Sequence, residues 1–82
     1  MQGDQPVFVV KVNEQDVTFK GVTATTGAGV KTAAIEQGVQ IQANFVLQEE
    51  LPNGTSRVVG DTDPVQLRPH MKFTAIQPDD NS

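Results

Sequence analysis

The stretch "VFVVKVNEQDVTFKGVTATTGAGVKTAAIEQG", residues 7–38, changes periodicity partway along, and that change decides the fold class. Val7–Val12 is β-branched or aromatic at nearly every position, Asn13-Glu14-Gln15-Asp16 has turn chemistry, and Val17–Val22 alternates apolar with polar residues. Two such runs joined by a short Asn/Asp-rich link predict a β-hairpin with one buried face. After Val22 the period lengthens. Thr25 or Thr26 is the candidate N-cap, Ala and Lys fill the middle, and Gly38 sits where a left-handed residue ends a helix. Val30, Ala33 and Ala34 share one helical face and are expected to meet the sheet. Gly27 and Gly29 each cost about 1 kcal/mol relative to Ala inside a helix, so the first turn is its weak end. They are read as serving packing or the entry turn rather than the approach of a partner's backbone.

Outward from this stretch, "VQIQANFVLQEEL" leads through Val39 and Ile41 into an apolar run, Pro52-Asn53-Gly54 turns the chain, and Thr55–Val59 returns. Asn-Gly between two such runs is a strong short-range hairpin signal. Gly60–Pro64 breaks the chain, Val65-Gln66-Leu67 is a short apolar patch, and Met71–Ile76 is the last strand. The order is hairpin, helix, hairpin, final strand, or ββαββ with a small insertion. In so small a chain the helix must lie across one sheet face, and the handedness of crossovers favours a strand parallel to the first. The expected class is therefore α+β, a mixed four- to five-stranded sheet gripping one helix in the β-grasp arrangement. The expected boundaries are 1–5 for a disordered N-terminus, 6–76 for the domain and 77–82 for a flexible C-terminal tail.

Eighty-two residues suffice for one domain with one core. Six Lys/Arg stand against ten Asp/Glu, a formal charge of −4, and the basic residues are scattered singly. That distribution disfavours nucleic acid and anionic membranes as partners. The absence of cysteine removes disulfides, thiolate metal sites and a Cys nucleophile, and suits a cytoplasmic protein. The start, "MQGDQPVFVV", has no positively charged leader region, and no apolar run is long enough to span a bilayer.

The segments "FVVKVNEQDVTFKG", "TGAGVKTAAIEQGV", "FVLQEELPNGTSRVVGDTDPVQL" and "MKFTAI" resemble one repeat of the bacterial multiubiquitin, or ubiquitin-like, domains. Members of that group stand beside activating-enzyme-like, conjugating-enzyme-like and peptidase proteins in bacterial ubiquitination-like operons, several linked to phage defence. The resemblance spans residues 7–76 and implies a non-enzymatic modifier without cofactor. Its C-terminus would be activated as an acyl-adenylate, passed to an enzyme nucleophile and then to an acceptor protein. By that resemblance Asp79, Asp80, Asn81 and Ser82 form the conjugation or processing tail. Ubiquitin and the sulfur carriers end in Gly-Gly, whereas this tail is "QPDDNS". The departure implies cognate enzymes with basic groups at the tail channel, trimming by a peptidase, or loss of conjugation.

Other candidates are weaker. His70 has no nucleophile or orienting group suggested nearby and is expected in an exposed turn. Asp61-x-Asp63 resembles part of a calcium loop but lacks its third ligand, glycine and distant Glu, so Asx hydrogen bonding is the better reading. Glu49 and Glu50, adjacent on a strand, must face opposite ways and so cannot form an acid/base pair. An apolar surface patch of Val10, Val58 and Ile76 would supply a partner-binding surface, either with conjugation or in a non-conjugated interaction module. A register slip of one residue would instead send those side chains into the core.

Overall fold

A computed structural model describes residues 5–78. The opening hairpin pairs β1 (Val7–Val12) with β2 (Gln15–Lys20), antiparallel, with Val12 opposite Gln15. Only Asn13 and Glu14 remain in the turn, and their φ angles are 51° and 70°. Two consecutive positive φ values define a type I′ turn, whose twist matches that of the strands it joins. The four-residue turn expected from composition is thus corrected to two, and the second strand starts two residues earlier.

Turn length fixes which side chains share a face. Phe8, Val10 and Val12 lie opposite Phe19, Val17 and Gln15 on one side, while Val7, Val9 and Lys11 lie opposite Lys20, Thr18 and Asp16 on the other. Val10, Val12 and Val17 are fully buried. Val10, expected as a candidate for the exposed patch, is therefore corrected to a core residue: it stands opposite Val17 on the face it shares with Phe8 and Val12, while Val7, Val9 and Lys11 take the outward face.

The short strand β3 (Ala24–Thr26) runs straight into α1 (Gly27–Glu36). Thr26 is the N-cap, extended at φ −127° and ψ 173°, and its side chain accepts the Gly29 amide at 3.1 Å. Past the C-cap Gln37, Gly38 takes φ 99°, as the sequence predicts for a helix end. The buried stripe of α1 is Gly27, Val30, Lys31 and Ala34, at helical spacing, with Ala33 packed beside it. Lys31 is the member of that stripe which hydrophobicity does not announce. A Cβ on Gly27 would overlap the carbonyl oxygen of Gly60. The close approach that Gly27 permits is to its own chain. The Gly27 and Ala28 amides donate to Asp63 and Asp61 carbonyls, each at 3.1 Å, which fastens loop 60–63 on the helix start.

Residues 39–45 form no regular strand, yet Val39 and Ile41 are buried under the helix. Then come β4 (Val46–Glu50), β5 (Ser56–Val59), β6 (Pro64–Gln66) and β7 (Lys72–Ile76). The main sheet has five strands in the order β2-β1-β7-β4-β5. β1 and β7 are parallel and the other pairs antiparallel, so the last strand enters beside the first. β3 and β6 form a separate antiparallel ribbon, Thr25 facing Val65, which three-residue runs are too short to announce. Phe73, Leu47, Val30 and Val65 fill the space between helix, ribbon and sheet. The result is the mixed sheet and single helix of a ubiquitin-like β-grasp fold.

Candidate functional site

β7 is the strand from which the candidate tail departs, and it is held on three counts. It pairs with β4 from Val46↔Ile76 to Glu50↔Lys72, and with β1 at Lys11↔Lys72 and Val12↔Phe73. Beyond the end of β1, the Asn13 side chain continues the ladder: its Nδ2 donates to the Ala75 carbonyl at 3.0 Å and its Oδ1 accepts the Ala75 amide at 2.8 Å. One side chain in a left-handed turn thus replaces a missing strand residue, and strand order extends to Ile76 at the rim. Gln77 is exposed and Pro78 half-buried. The expected tail residues Asp79, Asp80, Asn81 and Ser82 lie outside the described residues, as do residues 1–4 of the expected N-terminal segment.

The sheet face away from α1 carries the rest of the site. Ile76 sits opposite Val46, and Val58 sits opposite Gln48 one pair further along. Val58 is 62% exposed and Ile76 44%, on the outward face expected for them, without Val10. A polar band follows on the same face: Gln48, Thr74, Glu50 and Lys72, with the Thr74 hydroxyl donating to Glu50. Beyond it Val7, Val9, Pro69, His70 and Lys72 line a shallow groove of about 410 Å³. His70 stands in an exposed turn at φ 66°, as its neighbours suggest, but the parallel β1–β7 pairing also sets it beside Val9, which no local pattern shows.

Lys11 at that groove pairs with Asp16 at 2.8 Å, and this hydrogen bond, reinforced by the carboxylate charge, raises the ammonium pKa above the ordinary lysine value. Asp63 accepts the Gly60 amide at 2.8 Å while its own amide donates to the Gly60 carbonyl at 3.1 Å, so the side chain reaches three residues back in place of the forward Asx turn expected, and Asp61 pairs with Lys31. Glu49 points to the helix side and Glu50 to the other, as strand geometry demands. Among the described residues no three His, Asp or Glu converge as metal ligands, and no helix is long and apolar enough to cross a membrane.

What the fold offers is a handle, with an ordered last strand at its centre and a partly apolar sheet face beside the strand's end. These features define a ubiquitin-like module. Residues 8–79 match the multiubiquitin family, and the chain belongs to that family. Neither the curated proteins nor the solved structures provide a match.

Proposed function

We propose that this chain is a ubiquitin-like protein modifier, conjugated through the segment that follows β7. Its carboxylate attacks the α-phosphate of ATP and releases pyrophosphate. The acyl-adenylate then passes its acyl group to an enzyme nucleophile, releasing AMP, and an acceptor amine on a target protein takes the acyl group last. The observation that carries this reading is the fastening of β7 through Asn13 and Ala75 up to Ile76, immediately before "QPDDNS". A firmly anchored strand lets an enzyme grip the domain and draw the following residues into a channel. The partners are activating-enzyme-like and conjugating-enzyme-like proteins, with a peptidase to process the segment that carries Asp79 and Asp80. The setting is a cytoplasmic bacterial ubiquitination-like pathway, with phage defence as its role.

The test uses the purified protein, the enzymes encoded beside it and ATP, followed by intact mass. An adenylate, an enzyme ester or a conjugate is expected from the full chain or its processed form, and none from a chain stopped at Gln77. If the two chains behave alike and no covalent product forms with any processed form, the proposal fails.

The exposure of Val58 and Ile76 favours a second reading, a non-conjugated interaction module that docks through the sheet face. Val58→Asp would then abolish partner capture with the full and the shortened chain alike. Under the modifier reading that substitution leaves adenylate formation to depend on the tail.

A further inference from the structure

Glu49 shares the inward face of β4 with Leu47 and is 3% exposed. A carboxylate so deeply placed needs charged partners, and it has two. Arg57 stands directly opposite on β5, with Nε and Nη2 each 3.1 Å from Oε1. Arg68, two residues past β6, brings Nη2 within 3.2 Å of Oε2. Two guanidiniums on one carboxylate leave a local surplus of positive charge. Elsewhere Lys11 and Lys31 are each matched one to one, by Asp16 and Asp61.

The two side chains of the cluster are unlike their partner in exposure. The Arg57 and Arg68 side chains are 57% and 60% exposed, so the buried carboxylate forms a floor and the guanidiniums a rim. Each guanidinium carries five N–H donors, and Glu49 engages no more than two of Arg57's and one of Arg68's. No other carboxylate of the described residues lies within ion-pair distance of either. The rim borders a groove of about 250 Å³, which Ala24, Pro64, Gln66 and Met71 also line, room for one or two side chains.

We infer that the groove between Arg57 and Arg68 binds a carboxylate side chain from an acidic peptide segment. The planar fork of a guanidinium matches a carboxylate in two parallel hydrogen bonds. Glu49 holds both forks in place beforehand, which reduces the ordering cost of binding. A nucleic acid is the wrong ligand, because a single surplus charge on a chain of net −4 cannot offset a backbone with a charge every 1.7 Å or so. The groove lies on the helix side of the sheet, opposite Val58 and Ile76, so it can be filled while the other face is engaged. This chain itself carries an acidic stretch, Asp79-Asp80, which supplies a natural probe.

The experiment is an NMR titration of the 15N-labelled full chain with acetyl-Gln-Pro-Asp-Asp-Asn-Ser-amide. Saturable shifts are expected at the Arg57 and Arg68 side-chain Nε–H signals and at the Ala24 and Gln66 amides, with weak affinity of about 1 mM. A peptide with Asn in place of both Asp residues should not bind. Arg68→Gln should weaken binding at least several-fold, Arg68→Lys less, and Val58→Asp not at all. Arg57 still pairs Glu49 in the Arg68 variants, so a native amide spectrum is expected and checks their fold. The inference is overturned by equal binding of the Asn peptide, by undiminished binding to a folded Arg68→Gln variant, or by absence of saturable shifts at the two arginines. Inorganic phosphate binding as tightly as the peptide would also overturn it, showing a general anion site.

Discussion

Glu14 and Lys31 each stand where their residue type is unfavoured, one in its backbone and the other in its burial. A left-handed conformation costs an ordinary L-residue roughly 1–2 kcal/mol, and the second position of a type I′ turn is normally glycine. Glu14 holds φ 70° there. Part of the gain from glycine is lost to the greater freedom of its unfolded chain. Glu14→Gly is therefore expected to stabilise by about 0.5–1 kcal/mol, read as a rise of a few degrees in thermal midpoint. Lys31 is 5% exposed, and its ammonium spends all three protons within the fold. They go to the Ala43 carbonyl at 2.7 Å, the Phe45 carbonyl at 2.8 Å and the Asp61 carboxylate at 2.8 Å. The charge thereby organises the irregular segment 39–45, which has no strand ladder to satisfy its carbonyls. Lys31→Met keeps the bulk and removes the donors, so a loss of about 2–4 kcal/mol is expected in urea unfolding. The slope against denaturant should stay unchanged.

Strands on the rim of the main sheet face a different problem, that of unpaired backbone. β2 is an edge strand, and at Thr18 its outward amide and carbonyl are both taken by the Gln37 side chain, at 2.8 Å each. The helix C-cap therefore doubles as a cover for the sheet edge, linking α1 to β2 through one amide group. An uncovered edge is a template for strand addition. Gln37→Ala should cost about 1–2 kcal/mol and also make sedimentation concentration-dependent. A variant that loses stability without self-associating would show that Gln37 is a tether only. Asn13 performs the analogous task inside the sheet, where it extends β1 by a side chain to reach Ala75. In the β4–β5 hairpin Gly54, at φ 88°, closes the turn, Leu51 donates to the Thr55 carbonyl at 2.8 Å, and Asn53 Oδ1 accepts the Thr55 amide at 3.2 Å.

All of these elements share one core, and its smallness makes the domain fragile as a unit. Phe73 is 2% exposed on the inward face of β7, the strand between β1 and β4, which precede and follow the helix. Phe73→Ala should cost about 3–5 kcal/mol, against a total stability of about 4–12 kcal/mol for a chain of this length. Thermal unfolding followed by circular dichroism should then show a midpoint lowered by about 12–40 °C, with loss of helix and sheet together. Much of the fold is nevertheless legible in local patterns. Element order, the Thr26 cap, the Gly38 terminator, the Asn53-Gly54 hairpin and the opposed faces of Glu49 and Glu50 all follow from neighbours within a few residues. Such signals act through backbone sterics and side-chain alternation, which one chain segment contains in full. The inward facing of Val10 is not marked locally, because Val7–Val12 is apolar on both faces except at Lys11, and one residue of parity exchanges the faces. The Arg57–Glu49–Arg68 cluster, the burial of Lys31 and the groove beside His70 were beyond local patterns altogether. Glu49 meets Arg57 across the β4–β5 hairpin and Arg68 only after the chain has passed β6, Lys31 finds its acceptors in loops that follow the helix, and His70 comes beside Val9 only where β7 lies along β1. The amino-acid sequence determined which elements form and what each face prefers to bury, while the tertiary structure decided which charges those faces had to satisfy, because burial of a charge is a property of the closed core and not of any segment in it.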